Sequence, residues 1–314
     1  MAFASPPSKL ILVRRYLAFR RKLGYRMRAA ELLFDFARFA DREAPGKPLT
    51  TALAIRWATA VPSARLNTRL GRIGLVRGFA RYCATLDAQT QIPEPGLLWP
   101  GFQRVQPHLF SASQTKLILQ RTRELQTCRS PLHPLTYETF IGLLASTGIR
   151  PGEALRLQCE DLDVEEGTLR IRRCKFSPER VLALHPTTVR ALGHYRQKRQ
   201  ALFPWGERFF VGAAGKPLSA RRTAKIFRRL TDGLAPGGER RTVRMMDFRH
   251  TFASKRISEW SRRAEPLAHH LLLLARYLGH QTFNSTWWYV SSDPRALRAA
   301  SERFRHFHTQ CHAA

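Results

Sequence analysis

Between Asp87 and His108 the chain carries Pro93, Pro95, Pro100 and Pro107, together with Gly96 and Gly101. No helical period runs through such a stretch, because proline removes a backbone donor and clashes with the preceding turn. The 314 residues must therefore close two separate cores. The sequence predicts a helical domain over residues 1–90, a linker over 91–110 and a second domain over 111–314. Charge has the same sign in both parts. Up to residue 108 there are 18 basic and 6 acidic residues, leaving 35 and 17 beyond it, so the formal +30 divides into +12 and +18. A surplus of this size opposes compaction unless a polyanion neutralises it. Nucleic acid is the partner this favours. The rival, an anionic membrane surface, calls for a basic amphipathic helix with a clean apolar face, and none is evident.

Other classes fall away. Apolar residues make up 44% of the chain, which argues against disorder. No stretch approaches the roughly 18–20 apolar residues of a membrane span, and Arg14 and Arg15 break the segment from Leu10 to Leu17 that a secretory signal would need. The expected location is the cytoplasm, on the nucleoid when DNA-bound. Cys83, Cys128, Cys159, Cys174 and Cys311 are odd in number, scattered and form no Cys-x-x-Cys pair. That argues against a disulfide framework and against a thiolate zinc site. No metal and no cofactor is expected.

Periodicity predicts four helices in the first part. One runs from a Ser8 cap to Lys22, one over 28–43, a short one is capped by Thr51, and one spans 63–85. Arg65, Arg69, Arg72 and Arg81 decorate the last and are candidate DNA contacts. In the second part helices are expected over 113–125 and 135–146, then a β-hairpin from strands at 169–173 and 181–184. A helix opening at His185-Pro186 and reaching Gln200 follows, then a short strand at 209–211, with mostly helical structure from Leu218 on. The fold class is α+β: a helical bundle followed by a mostly helical domain with a small antiparallel sheet.

Five motifs occur in order: Thr147-Gly148-Ile149-Arg150-Pro151-Gly152-Glu153-Ala154-Leu155; Lys175 in the hairpin; Asp247-Phe248-Arg249-His250-Thr251-Phe252-Ala253; Leu278-Gly279-His280; and Tyr289, nine residues beyond His280. Each alone is weak. In this order and spacing they make the chain resemble the tyrosine recombinases, or phage integrases, and the His185-Pro186-Thr187-Thr188 run after the hairpin is similar to that of integrases carried by transposons. The resemblance is strong from about residue 135 to 293 and only architectural before 108.

That resemblance implies a SAM-like core-binding domain and a catalytic domain closing on double-stranded DNA as a C-shaped clamp. It implies cleavage and rejoining through a 3′-phosphotyrosyl bond, without metal or ATP, by a homo-oligomer of two to four copies, alone or with related recombinases. A tail helix after Asp293 would dock on a neighbouring copy or on its own domain. The chemistry explains the residue types. Attack on a phosphodiester builds charge on the non-bridging oxygens, and two guanidiniums can clamp them with paired hydrogen bonds. Arg150 and Arg249 take that role. Tyr289 is the expected nucleophile; a phenol has a pKa of about 10 and needs cationic surroundings or a base. Lys175 would protonate the leaving 5′-oxygen. His280 would bond a phosphate oxygen or assist Tyr289, and Glu153 would orient the site from behind.

One position departs from the family. Where His-x-x-Arg is expected, the chain reads Met246-Asp247-Phe248-Arg249. A thioether cannot shuttle a proton. His250 follows Arg249 directly and is read as structural. The departure leaves one alternative to a fully active recombinase, a DNA-binding accessory subunit with a weakened site, and the shared chemistry leaves another, a type IB topoisomerase-like enzyme. The helical first domain disfavours the second.

Overall fold

The computed structural model describes residues 7–98, 106–126, 130–172, 179–234, 243–262, 267–282, 285, 286 and 289. The chain divides into two compact units, residues 1–105 and 106–314.

The first unit is built from α1 (Lys9–Lys22), α2 (Ala30–Glu43), α3 (Thr51–Thr59) and α4 (Leu66–Ala84). Side chains mark where the helices begin. The Ser8 hydroxyl accepts from the Leu10 N–H and donates to Asp41, which also accepts from the Lys9 N–H at 3.0 Å. The start of α1 is thereby tied to the end of α2. Thr50, rather than Thr51, caps α3 by accepting from the Leu53 N–H at 3.2 Å. Val13, Leu17, Leu33, Phe36, Trp57, Val76 and Phe79 fill the core. The segment after α4 is strapped back onto this bundle. Gln91 bonds Leu49 and Thr51 through its backbone N–H and side chain, and Arg77 donates to the carbonyls of Pro93 and Glu94.

The second unit holds α5 (Ala112–Arg123), α6 (His133–Thr147), the single turn α7 (Pro151–Ala154), strands β1 (Leu162–Asp163), β2 (Thr168–Ile171) and β3 (Arg180–Ala183), and helices α8 (Pro186–Leu202), α9 (Ala220–Leu230), α10 (Asp247–Arg262) and α11 (Leu267–Leu278). The strands form one antiparallel sheet in chain order, with Leu169 opposite Leu182. Leu169, Ile171 and Leu182 alternate inward, as a sheet with one buried face requires. Helix α6 is the central column: Phe140, Ile141, Leu143 and Leu144 are all at most 1% exposed, and α5, α8 and α10 pack around it. Phe110 enters this core, stacked on Phe248 at 4.3 Å, and its N–H donates to the Thr251 hydroxyl.

The expected strand at 209–211 does not form. The Phe209 N–H bonds the Leu157 carbonyl at 2.8 Å within a single bridge, and the Val211 N–H leaves the ladder for the Tyr195 hydroxyl at 3.1 Å. Only isolated bridges flank it, Gln158 with Arg208 and Val211 with Pro217. The hairpin connection carrying Lys175 and the tail after Asp293 lie outside the described residues. Among the described residues no helix is long and apolar enough to cross a membrane.

Candidate active site

The site grows from two glycines that end helices. Gly148 stops α6 in the left-handed conformation, φ 63°, and Gly279 does the same for α11 at φ 69°. At the end of α11 the Gly279 N–H bonds the Arg276 carbonyl and the His280 N–H reaches the Ala275 carbonyl. That pair is a Schellman motif. It satisfies two of the four carbonyls a helix leaves unpaired at its C-terminus.

Three arginines take the carbonyls that come next. Arg180 Nε donates to Tyr277 O at 2.7 Å, Arg249 Nη2 to Leu278 O at 2.7 Å, and Arg150 Nη2 to Gly279 O at 3.3 Å. Three consecutive carbonyls at the negative end of one helix thus gather three guanidiniums from α10, β3 and the start of α7. Arg249 is fixed from a second side, where Nη1 donates to Gly148 O at 3.1 Å. A Cβ on Gly148 would lie 2.8 Å from the Phe252 ring, so the close approach of α6 to α10 also needs glycine.

Glu153 stands beneath two of the three. Its carboxylate accepts from the Arg150 N–H and Nη1, both at 3.0 Å, and from Arg180 Nη2 at 2.8 Å and Nη1 at 3.3 Å. The group is 4% exposed. Burial alone pushes its pKa up, but the bonds and charge of Arg180, then of Arg150, outweigh it and hold the carboxyl at about 2. Arg249 is 2% exposed. Burial lowers its pKa to about 10, with the Tyr289 phenol pulling the other way, and it stays charged at neutral pH.

Tyr289 sits against α10 and α11, packed with Ala253, Ile257, Leu271, Leu274 and Leu278 and 3% exposed. Its ring lies 5.4 Å from His250, tilted, and 5.9 Å from His280, stacked. Burial, then the charges of Arg249, Arg150 and Arg180 and a contribution from His250, lower the His280 pKa to about 3. The imidazole is therefore neutral at physiological pH. Met246 is half-buried in the turn before α10, where its carbonyl accepts from the Arg249 N–H at 3.0 Å and, more weakly, from the His250 N–H at 3.4 Å.

The structure brings Arg150, Glu153, Arg249, His250, His280 and Tyr289 into one neighbourhood. Lys175 falls outside the described residues. Arg180 was not singled out for the site by the sequence, since its value lies in meeting Glu153 and Tyr277, both distant in the chain. Among the described residues no group of three or more His, Cys, Asp or Glu side chains is placed to hold a metal ion.

The arginines of α4 fare differently from one another. Arg65 and Arg81 are exposed, and Arg69 donates to the Pro62 carbonyl at 2.7 Å. Arg72 is committed to its own bundle: its guanidinium lies 4.3 Å over the Trp57 ring and 3.5 Å from Asp35. A second basic face escaped the sequence reading. Helix α9 buries Thr223, Phe227 and Leu230 and exposes Arg221, Arg222, Lys225, Arg228 and Arg229. The three-to-four-residue spacing of its buried positions was the available signal.

Residues 112–295 match the phage integrase family. The integrase/recombinase relatives y4rB and y4rE of Sinorhizobium fredii are each 34% identical, covering 93% of this chain and 95% and 94% of their own lengths. Among solved structures, the chain is similar to the Tn1549 transposon integrase in complex with transposon right end DNA, at 15% identity and a TM-score of 0.69, covering 95% of this chain and 99% of that one. It is similar also to the XerH site-specific recombinase bound to a palindromic difH substrate, at 15% identity and a TM-score of 0.69, covering 96% and 98%. At these identities the structural likeness is one of fold.

Proposed function

The chain belongs to the phage integrase family of tyrosine recombinases, and we propose that it cleaves and rejoins double-stranded DNA at specific sites with Tyr289 as its nucleophile. One observation carries this reading: the cluster of Arg150, Arg180 and Arg249 on the end of α11, beside Tyr289 and a neutral His280.

In the proposed reaction the Tyr289 phenol oxygen attacks a backbone phosphorus. A phosphorus–oxygen bond to tyrosine forms as the bond to the 5′-oxygen breaks. The phenol gives up its proton to solvent water, and the departing 5′-oxygen takes one up from Lys175. Attack by a 5′-hydroxyl on the phosphotyrosyl bond reverses the step with the same bonds made and broken, so rejoining needs no energy source. Arg150 and Arg249 stabilise the charge that builds on the non-bridging oxygens. Both are held by carbonyls and a carboxylate before any substrate arrives, so little reorganisation is required of them. Glu153 holds Arg150 from behind. Met246 offers no titrating group, which favours slow chemistry.

The duplex would be held mainly through its phosphates. The exposed arginines of α4 and the basic face of α9 are the surfaces that suit this, in a homo-oligomer assembled on DNA. The test is a nicked suicide duplex carrying a site that the protein itself selects from a randomised pool. The wild type should form a protein–DNA adduct, and Tyr289→Phe should form none while binding the same duplex with nearly unchanged affinity. Binding without any adduct from the wild type would make the chain a DNA-binding accessory subunit, the alternative that Met246 raises.

A further inference from the structure

A second hydroxyl stands at the site and has no part in the chemistry above. Thr286 is fully buried, 0% exposed, on the helical turn that precedes Tyr289. Its Oγ1 lies 2.7 Å from His280 Nδ1, while the His280 ring stacks on Tyr289. A neutral imidazole has one donor and one acceptor nitrogen, and the bond made by one nitrogen sets the state of the other. Two arrangements of the proton are open. If Nδ1 carried it and donated to Thr286, the threonine hydroxyl hydrogen would remain buried and in need of another acceptor. If the hydroxyl donates to Nδ1, both groups are satisfied at once and the ring proton is left on Nε2. Buried polar groups are strongly biased toward the satisfied arrangement.

We propose that Thr286 is a positioning residue whose hydroxyl donates to His280 Nδ1 and so holds the imidazole with its proton on Nε2. The consequence for mechanism, which rests on the recombinase reading, is a division of labour. His280 presents an N–H to a phosphate oxygen and acts as a donor throughout. It does not take the proton from Tyr289, because the nitrogen with the free pair is already occupied by Thr286. The cations around it, Arg249, Arg150 and Arg180, act against the imidazolium and keep this donor–acceptor distinction in force.

The proton position can be read without DNA. The full chain, labelled with ¹⁵N-histidine, gives long-range proton–nitrogen correlations in which a protonated and an unprotonated ring nitrogen are well separated, and the spectrum of His280→Gln assigns the His280 set. The expected pattern at neutral pH is a protonated Nε2 and an unprotonated Nδ1. Thr286→Ser should keep it, and the nearly isosteric Thr286→Val should let it relax to a mixture of the two forms. Single-turnover adduct formation should follow, falling in Thr286→Val and recovering in Thr286→Ser. The fall should not exceed the roughly 10²- to 10³-fold that deleting a preorganised donor outright costs. A protonated Nδ1 in the wild type overturns the proposal, as does a proton position unchanged in Thr286→Val. Both outcomes stand whether or not the protein forms an adduct, so failure of this proposal is distinct from failure of the recombinase reading.

Discussion

The Gly148 carbonyl accepts a hydrogen bond from Arg249 Nη1 at 3.1 Å, across 101 residues of chain. A helix stop and a candidate phosphate clamp are therefore one construction. Gly148→Ala sets a left-handed backbone against a Cβ, at about 1–2 kcal/mol, and adds an overlap with Phe252 at 2.8 Å. The expected result is a lower melting temperature and an adduct rate reduced by more than the stability loss explains, since Arg249 loses its fixed carbonyl. Thermal melts beside single-turnover rates on saturating DNA separate the two effects. An unchanged rate in the folded variant would show that Arg249 does not depend on that anchor.

Arg180 supports the site without needing to touch DNA. Its side chain is 6% exposed and it shares the buried Glu153 carboxylate with Arg150. Arg180→Met leaves that carboxylate with one partner instead of two. Removing one member of a buried ion pair costs about 3–5 kcal/mol, and Arg150 keeps the expected loss near the lower figure. Adding Glu153→Gln should return part of it. Denaturant titration of the two variants and the wild type decides the matter; a double variant less stable than Arg180→Met would contradict the role given to the carboxylate.

What the sequence made legible was local. Thr147 to Leu155 announces a helix stop followed by polar residues, and α6 does end there, at Thr147, while the stop of α11 at Gly279 lies inside a stretch read only as mostly helical. Other features needed three dimensions. Arg180 means little until β3 brings it to Glu153, 27 residues earlier in the chain. Arg72 looks like its neighbours on α4 until Trp57 and Asp35 are placed against it. The apolar run Phe209 to Val211 has the composition of a strand, yet the Tyr195 hydroxyl, a group from another element, takes one of its donors. Thr286 carries no signal of its own, because its meaning is the 2.7 Å to His280.

Acid should weaken the fold in two stages. His280 has a folded pKa of about 3 against an ordinary value near 6.5. The unfolded chain therefore binds the extra proton first, and stability falls as pH drops from about 6.5 toward 3. Glu153, held at about 2 against an ordinary 4.5, contributes stability that is complete above 4.5 and lost as pH falls toward 2. His280→Gln should flatten the upper stage and leave the lower one, as read from unfolding midpoints between pH 7 and pH 3. An upper stage of the same size in His280→Gln would assign it to another group.

Met246 tests how the phenol proton is managed. Its backbone already makes the first-turn bonds of α10, so Met246→His changes a side chain and leaves the helix start intact. A positioned acid–base group is typically worth roughly 10²- to 10⁴-fold. Met246→His should raise the single-turnover adduct rate, with the lower figure as the ceiling for a site that did not evolve around it. Slower cleavage in that variant would mean the site is organised around the thioether.

The central claim is that the oxygen joined to DNA belongs to Tyr289. Cleavage after arginine isolates residues 277–295, a peptide that holds Tyr277 as well as Tyr289. Mass spectrometry of the trapped adduct, digested with trypsin and nuclease, should find the residual nucleotide on this peptide, and fragmentation should place it on Tyr289. A nucleotide on Tyr277, or on any other peptide, would contradict the account.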